Sequence, residues 1–339
     1  MRFRLLGPTG LRVSELCLGT MTFGREWGWG ADAATSEAIL AAYTEAGGNF
    51  LDTANIYQNE ASEAILGNLL QGDRDRYVLA TKYTLARDMR GRDPNAGGSH
   101  RKGLYRELDA SLGRLQTDFL DLLWVHAYDE LTPIEETMRA LDDVVRQGLV
   151  HYVGVSDWPA WAVAKANAYA VAHGLTPFAA LQIEYSLIER TPERDLLPMA
   201  RHFGLTVTPW SPLGGGVLTG RYLDGGGGRL SENAKQRSPE NLPIARAVVD
   251  VAREAGCTPA QAALAWLRGR GPDVVPIVGA STVDQLRDNL GALDVTLSAD
   301  QTARLDEASR VSLGFPHDFL AGAMTRDRVY GALRDAIDR

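Results

Sequence analysis

Eight short apolar runs, each followed by a stretch of helical spacing, recur along the chain, and this alternation restricts its folding more than any other feature. The runs are SELCLGT, GNFLDT, RYVLATK, DFLDLLWVH, HYVGVS, AALQIE, LTVTPW and DVVPIVG. They are rich in β-branched residues, as strands are. Residues 34–46, 62–70, 103–115, 133–146, 158–173, 192–203, 244–255 and 283–290 carry the amphipathic spacing of helices. Repeated βα units build a parallel sheet, and eight of them fit a (β/α)8 barrel, an α/β fold that takes about 250 residues. With 339 residues, the chain has a surplus for insertions and termini.

Residues 1–14, with Gly7-Pro8-Thr9-Gly10 between apolar flanks, read as a small β-hairpin that caps the barrel floor. Three stretches lack periodicity: 88–99, 213–241 and the tail, 309–339. The first two follow candidate strands and belong over the barrel mouth, where loops build a site. The tail is expected as a C-terminal extension over the same mouth, and residues 1–339 as a single domain.

Composition narrows the setting. No apolar run approaches the ~20 residues that span a bilayer, and MRFRLLGPTG lacks the apolar segment of a signal peptide, so no membrane partner and a cytoplasmic location are expected. The two cysteines, Cys17 and Cys257, lie far apart and suit neither a disulfide framework nor a zinc site. A formal charge of -8, with Lys and Arg scattered, offers no basic stripe for nucleic acid.

In a barrel the residues that end each strand face the cleft. Here they are polar: Asp52 ends GNFL, Lys82 ends YVLAT, His126 ends LLWV and Ser156 ends YVGV, with Gln182 inside ALQI and Trp210 and Ser211 after TVTP. An unpaired buried charge is costly, so Asp52 and Lys82 are expected to neutralise each other on neighbouring strands. Tyr57 lies just past Asp52 and can lean over the same mouth. An ammonium beside a phenol favours phenolate, so Lys82 is expected to lower the Tyr57 pKa from its usual ~10 toward the working range. Asp52 would hold Lys82 charged, and His126 would donate to an oxygen gaining negative charge. Together the four make a proton donor aimed at a carbonyl.

FLDTANIY, the lysine of VLATK and the histidine of DLLWVH resemble the aspartate, tyrosine, lysine and histidine tetrad of the aldo-keto reductases. ASLGRLQTDFLDLLWVHAYD, GVSDW, WSPLGGGVLTGRY and PIVGASTVDQLRDNL resemble further signatures of that family in the right order, so the likeness runs from about residue 11 to 293. It implies a metal-free reductase that passes hydride from a nicotinamide cofactor, NADPH with NADH not excluded, to a small-molecule aldehyde or ketone. Tyr57 would be the general acid, tuned by Lys82 and Asp52, with His126 orienting the carbonyl. Ser156, Asp157 and Gln182 would hold the nicotinamide carboxamide, and Trp210 would stack on its ring. Ser211, Leu213, Gly216 and Leu218 would follow the pyrophosphate, and Gly279, Ser281, Gln285 and Asn289 the adenosine end.

Two departures stand out. Asp157 occupies a place where many members have asparagine, and a carboxylate cannot donate to a carboxamide oxygen. Ser281 stands where many members carry an arginine that grips the 2′-phosphate of NADPH; Arg287, or Arg229 in the loop, is the candidate substitute. Trp27 and Trp29 are candidates for an aromatic wall of the substrate pocket. Two rival readings remain: a Schiff-base aldolase using Lys82, and a redox-sensing auxiliary subunit like the potassium-channel β subunits, which resemble the same family.

Overall fold

The apolar runs form strands. A computed structural model describes residues 1–336 apart from Asp88, Arg229 and Pro272. A hairpin of β1 (Phe3–Leu5) and β2 (Arg12–Ser14) comes first. Four units follow: β3 (Cys17–Gly19) with α1 (Ala33–Glu45), β4 (Phe50–Asp52) with α2 (Ala61–Leu69), β5 (Val78–Tyr83) with α3 (Arg101–Leu115), and β6 (Leu120–Val125) with α4 (Ile134–Arg146). Next come β7 (Val150–Ser156) with α5 (Ala160–Ala172) and β8 (Ala180–Glu184) with α6 (Leu196–Phe203). Two helices, α7 (Asn241–Ala255) and α8 (Pro259–Arg268), follow β9 (Thr206–Trp210), and α9 (Val283–Leu290) follows β10 (Ile277–Gly279). Helices α10 (Ala299–Ala308), α11 (His317–Ala321) and α12 (Ala323–Tyr330) come last.

Strands β3 to β10 run parallel in the order β10-β3-β4-β5-β6-β7-β8-β9. The sheet closes at Val207 of β9, whose N–H donates to Asp273 O at 2.8 Å and whose carbonyl accepts from Val275 N at 2.9 Å. The result is a (β/α)8 barrel. Its interior is filled by Cys17, Phe50, Ala80, Leu122, Trp124 and Ala180, joined from below by Leu6 and Val13 of the hairpin. Gly7 at the hairpin turn has φ +56°, and a Cβ there would lie 2.0 Å from Ala179 O, so only glycine lets the turn press against the barrel floor. Its N–H donates to Thr206 Oγ1 at 2.7 Å. With the floor plugged, the open end is the one carrying Asp52, Lys82 and His126.

Two features depart from expectation. Only one helix was expected between β9 and β10, yet α8 follows α7, started by a capping box in which Thr258 accepts from Gln261 N and the Gln261 side chain accepts from Thr258 N. The tail also contains helices, although among its described residues no apolar face is buried: Phe315, Phe319, Leu320, Met324 and Val329 are all exposed. Without a buried stripe there is no 3.6-residue pattern to read. Arg194 Nη2 donates to Ser312 O at 2.7 Å, Arg190 Nη1 donates to Ser309 Oγ at 2.9 Å, and Leu313 lines a cavity of about 250 Å³ with Leu197, Arg201 and Arg270. These contacts run beside α6 and the end of α8, because two arginines after β8 capture the chain as it leaves α10. Among the described residues, no helix is long and apolar enough to cross a membrane.

Candidate active site

Asp52 ends β4 opposite Ala80 of β5, which places Lys82 two residues further toward the mouth. Both side chains are buried. Lys82 Nζ donates to Asp52 Oδ1, to Thr53 O at 2.7 Å and to Tyr57 OH at 3.2 Å, so all three of its protons are placed. The second oxygen of Asp52 accepts from Gln182 Nε2 at 3.0 Å. Gln182 sits on β8, four strands from β4 in either direction, so this bond crosses the barrel. It braces the carboxylate and leaves the Gln182 carbonyl oxygen and its second N–H for another group.

The ring of Tyr57 stands edge-on to that of His126, with centroids 6.1 Å apart at 82°. The backbone N–H of His126 donates to Tyr83 O at 3.0 Å, and Nδ1 of its ring is buried without a hydrogen-bond partner. The four residues that the tetrad resemblance named therefore meet at one place.

Their protonation differs in one respect from expectation. Burial pushes the Tyr57 phenol above its usual value, and although Lys82 pulls it down, Asp52 pushes it up again. The expected lowering is overturned: desolvation outweighs the ammonium. Burial alone would lower the Lys82 pKa, but Asp52 and then Tyr57 outweigh it and raise it, keeping the amine charged. His126 is held well below the usual histidine value by burial and by Lys82, so its ring is neutral at pH 7. The set is a protonated phenol, an ammonium and a neutral imidazole.

Around this centre β7, β8 and β9 bring together the residues expected at the nicotinamide. Ser156 pairs in register with Gln182, and Trp210 with Glu184. Asp157 takes a left-handed φ of 54°. Its carboxylate accepts from Ser156 Oγ at 3.0 Å and from Trp210 Nε1 at 3.1 Å. Crowding by protein on its inner side raises its pKa, while the Trp210 and Ser156 bonds pull the other way. Where an asparagine would offer one acceptor and one donor, the carboxylate offers two acceptors, and the structure uses both to fix Ser156 and the indole of Trp210.

The loop after β9 turns in on itself. Ser211 has φ 54°, and Gly214, Gly215 and Gly216 have φ of 57°, 64° and 96°. The N–H groups of Gly216 and Leu218 both turn inward onto Leu213 O, at 2.9 and 3.2 Å, and the Leu218 side chain is buried. Neither amide points outward to a phosphate. At the far end Gln285 Oε1 accepts from Ser281 N at 2.9 Å, and Asn289 Nδ2 donates to Gly279 O at 3.3 Å. Gly279 itself is exposed, and a Cβ there would meet nothing nearer than Gly19 O at 3.9 Å. An open backbone at the end of the eighth barrel strand and a half-buried indole at the end of the seventh suit a flat, extended ligand such as a dinucleotide. Arg287 is exposed on α9, and Arg229 lies outside the described residues.

The loop after β3 brings Trp27 and Trp29 to the same mouth. Their rings lie 5.7 Å apart, and Trp27 stands edge-on to Tyr57 at 6.3 Å and 79°. Sequence reasoning missed what holds them there. Gln58, fully buried, donates from Nε2 to Met21 O at 3.1 Å and to Trp29 O at 3.2 Å, and its Oε1 accepts from Trp27 N at 2.9 Å. Gln58, Asn59 and Glu60 are three consecutive non-glycine residues with positive φ, of 49°, 50° and 79°. Such conformations cost of order 1–3 kcal/mol each and persist only where surrounding contacts over-determine them. An amide one residue past a candidate acid carries no sequence signal of this kind. Among the described residues, no group of three or more His, Cys, Asp or Glu is placed to hold a metal.

Comparison with known proteins agrees with this geometry. The model of the Aldo/keto reductase family matches residues 15–310. Norsolorinic acid reductase stcV of Emericella nidulans is 41% identical over 334 residues, covering 94% of this chain and 84% of the relative. The putative aryl-alcohol dehydrogenase AAD14 of Saccharomyces cerevisiae is 37% identical over 94% of this chain and 89% of its own length. An aryl-alcohol dehydrogenase [NADP(+)] of Phanerodontia chrysosporium is 38% identical over 93% of this chain and 88% of its own length.

Proposed function

The chain belongs to the aldo/keto reductase family, and from that premise we propose that it is an NADP(H)-dependent reductase of aromatic aldehydes or ketones with Tyr57 as general acid. The observation that carries the reading is the Lys82 ammonium 3.2 Å from the Tyr57 hydroxyl at the open end of the barrel, itself held by Asp52. A phenol with a raised pKa is protonated at neutral pH, so Tyr57 has a proton to give to a carbonyl oxygen. The ammonium beside it favours the phenolate left behind, which solvent reprotonates. Neutral His126, with one ring nitrogen unpartnered, orients the same oxygen by a hydrogen bond. A reduced nicotinamide cofactor, when bound, supplies the hydride.

Ser156, the free oxygen of Gln182 and the ring of Trp210 are the groups proposed to receive the nicotinamide, and Gly279, Ser281 and the adjoining turn the adenosine end. For NADPH, the support is a relative whose name carries NADP(+), which weighs against Ser281 standing in place of an arginine. For an aromatic substrate, the support is the Trp27 edge beside Tyr57 together with relatives named for aryl alcohols and norsolorinic acid. Nothing favours a Schiff-base role, since Lys82 is kept charged and a nucleophilic amine must be neutral.

The test is titration with NADPH and, separately, NADH, followed by quenching of tryptophan fluorescence, then addition of 4-nitrobenzaldehyde while cofactor absorbance is monitored. Tight binding of NADPH with loss of absorbance is expected. Binding without turnover of any carbonyl would move the reading to the redox-sensing subunit, and no binding of either cofactor would overturn it.

A further inference from the structure

We infer that Gln58 and Asn59 form a latch that sets the Trp27 indole against Tyr57 and thereby determine preference for flat aromatic carbonyls. The inference rests on the reductase reading above and adds positioning residues that touch neither substrate nor cofactor. The chain leaves Tyr57 through consecutive left-handed residues, and both side chains of that turn reach the first loop. Gln58 bonds the backbone of Met21, Trp27 and Trp29, and Asn59 Oδ1 accepts from the indole Nε1 of Trp27 at 3.0 Å. The first loop is shaped to receive them: Phe23 bridges Ala31, and Gly24, at φ +113°, lies so close that a Cβ there would be 2.9 Å from Gln58 Cβ. The backbone of the first loop is held by Gln58, whereas the indole itself packs on Trp29 and Tyr57 and makes one hydrogen bond, to Asn59. That indole stands edge-on to the residue proposed as proton donor, so tilting it changes the wall against which a substrate ring lies while leaving the Tyr57 hydroxyl and Lys82 in place.

Gln58 is buried, and replacing it endangers folding. Asn59 is exposed with φ 50°, which makes it the clean probe. Asn59→Gly removes the acceptor while relieving the backbone, because glycine takes positive φ freely. Asn59→Asp keeps the acceptor, and aspartate tolerates this conformation. The experiment measures kcat and KM for 2-naphthaldehyde and for propanal, with saturating cofactor, in the wild type and both variants.

Asn59→Gly is expected to raise KM for 2-naphthaldehyde about 3- to 10-fold, the effect of losing one hydrogen bond, with kcat within about twofold and propanal kinetics unchanged. Asn59→Asp is expected to restore the wild-type KM. A glycine variant that behaves like the wild type, one that loses both substrates equally, or an aspartate variant as impaired as the glycine one overturns the latch alone. A wild-type protein that reduces neither aldehyde overturns the reductase reading, and the latch's role in specificity with it.

Discussion

Removing the Lys82 ammonium isolates the charge pair on which the site depends. Lys82→Met keeps most of the buried volume but deletes three donated bonds, those to Asp52, Thr53 O and Tyr57. Asp52, buried to within 2% of its surface, is then left with the Gln182 amide as its remaining hydrogen-bond donor. Stripping one partner from a buried ion pair costs about 3–5 kcal/mol, because the other charge stays buried and uncompensated. Urea unfolding followed by tryptophan fluorescence measures that loss directly. The reasoning makes a second demand: Lys82→Met with Asp52→Asn removes the stranded charge, and is expected to recover about 2 kcal/mol or more of what the single variant lost. A single variant that loses less than about 1 kcal/mol, or a double variant no more stable than the single, would refute the claim that this pair is held by mutual neutralisation.

Two further predictions follow from the same groups. Tyr57→Phe is expected to bind cofactor as the wild type does while turnover falls by a factor on the order of 10² to 10⁴, and normal turnover would remove Tyr57 from the mechanism. His126 titrates well below its usual value in the folded chain, so as pH falls below about 6.5 the unfolded chain takes up a proton that the folded one refuses, and stability drops. Between pH 7.5 and 5.5 the wild type should therefore lose about 1 kcal/mol more than His126→Asn, the figure allowing for the partial exposure of the ring; equal losses would show that His126 titrates normally.

What the sequence made legible was whatever depends on periodicity and chain order. Asp52, Lys82 and His126 stood out because an ionisable residue closing an apolar run breaks a pattern, and the barrel then brings neighbouring strand ends together. Helix α8 is buried on nearly every side, so no amphipathic stripe marks it, although Thr258 and Gln261 spell out its capping box. Gln58 was not legible at all. Its importance comes from three bonds to a loop 29 to 37 residues away in the chain, and nothing local to an amide announces them. The same holds for the bond by which the Gln182 amide spans the barrel to Asp52. Partners chosen across a fold leave no trace in spacing.

The direction of the Tyr57 shift is illegible in the sequence for a related reason, and it bears on what Lys82 does. A sequence shows which charges will be near a phenol, but not how much water the fold takes from it, and here the loss of water is the larger effect. If Lys82 made Tyr57 ionise near neutrality, the enzyme would stand idle as phenolate for part of its working range. In the proposed mechanism a phenol held above its usual pKa is loaded with its proton whenever substrate arrives. Lys82 then limits the rise that burial imposes and favours the phenolate once the proton has left. Removing the ammonium should accordingly shift the alkaline limb of the kcat profile upward even with Asp52 neutralised, because the pull of Lys82 on the phenol exceeds the push of Asp52, and burial and Asp157 remain. The variant paired with Asp52→Asn, stable enough to assay, is the protein in which to look. A limb that stays in place there would mean that the hydrogen bond from Lys82 to Tyr57 does not tune the acid.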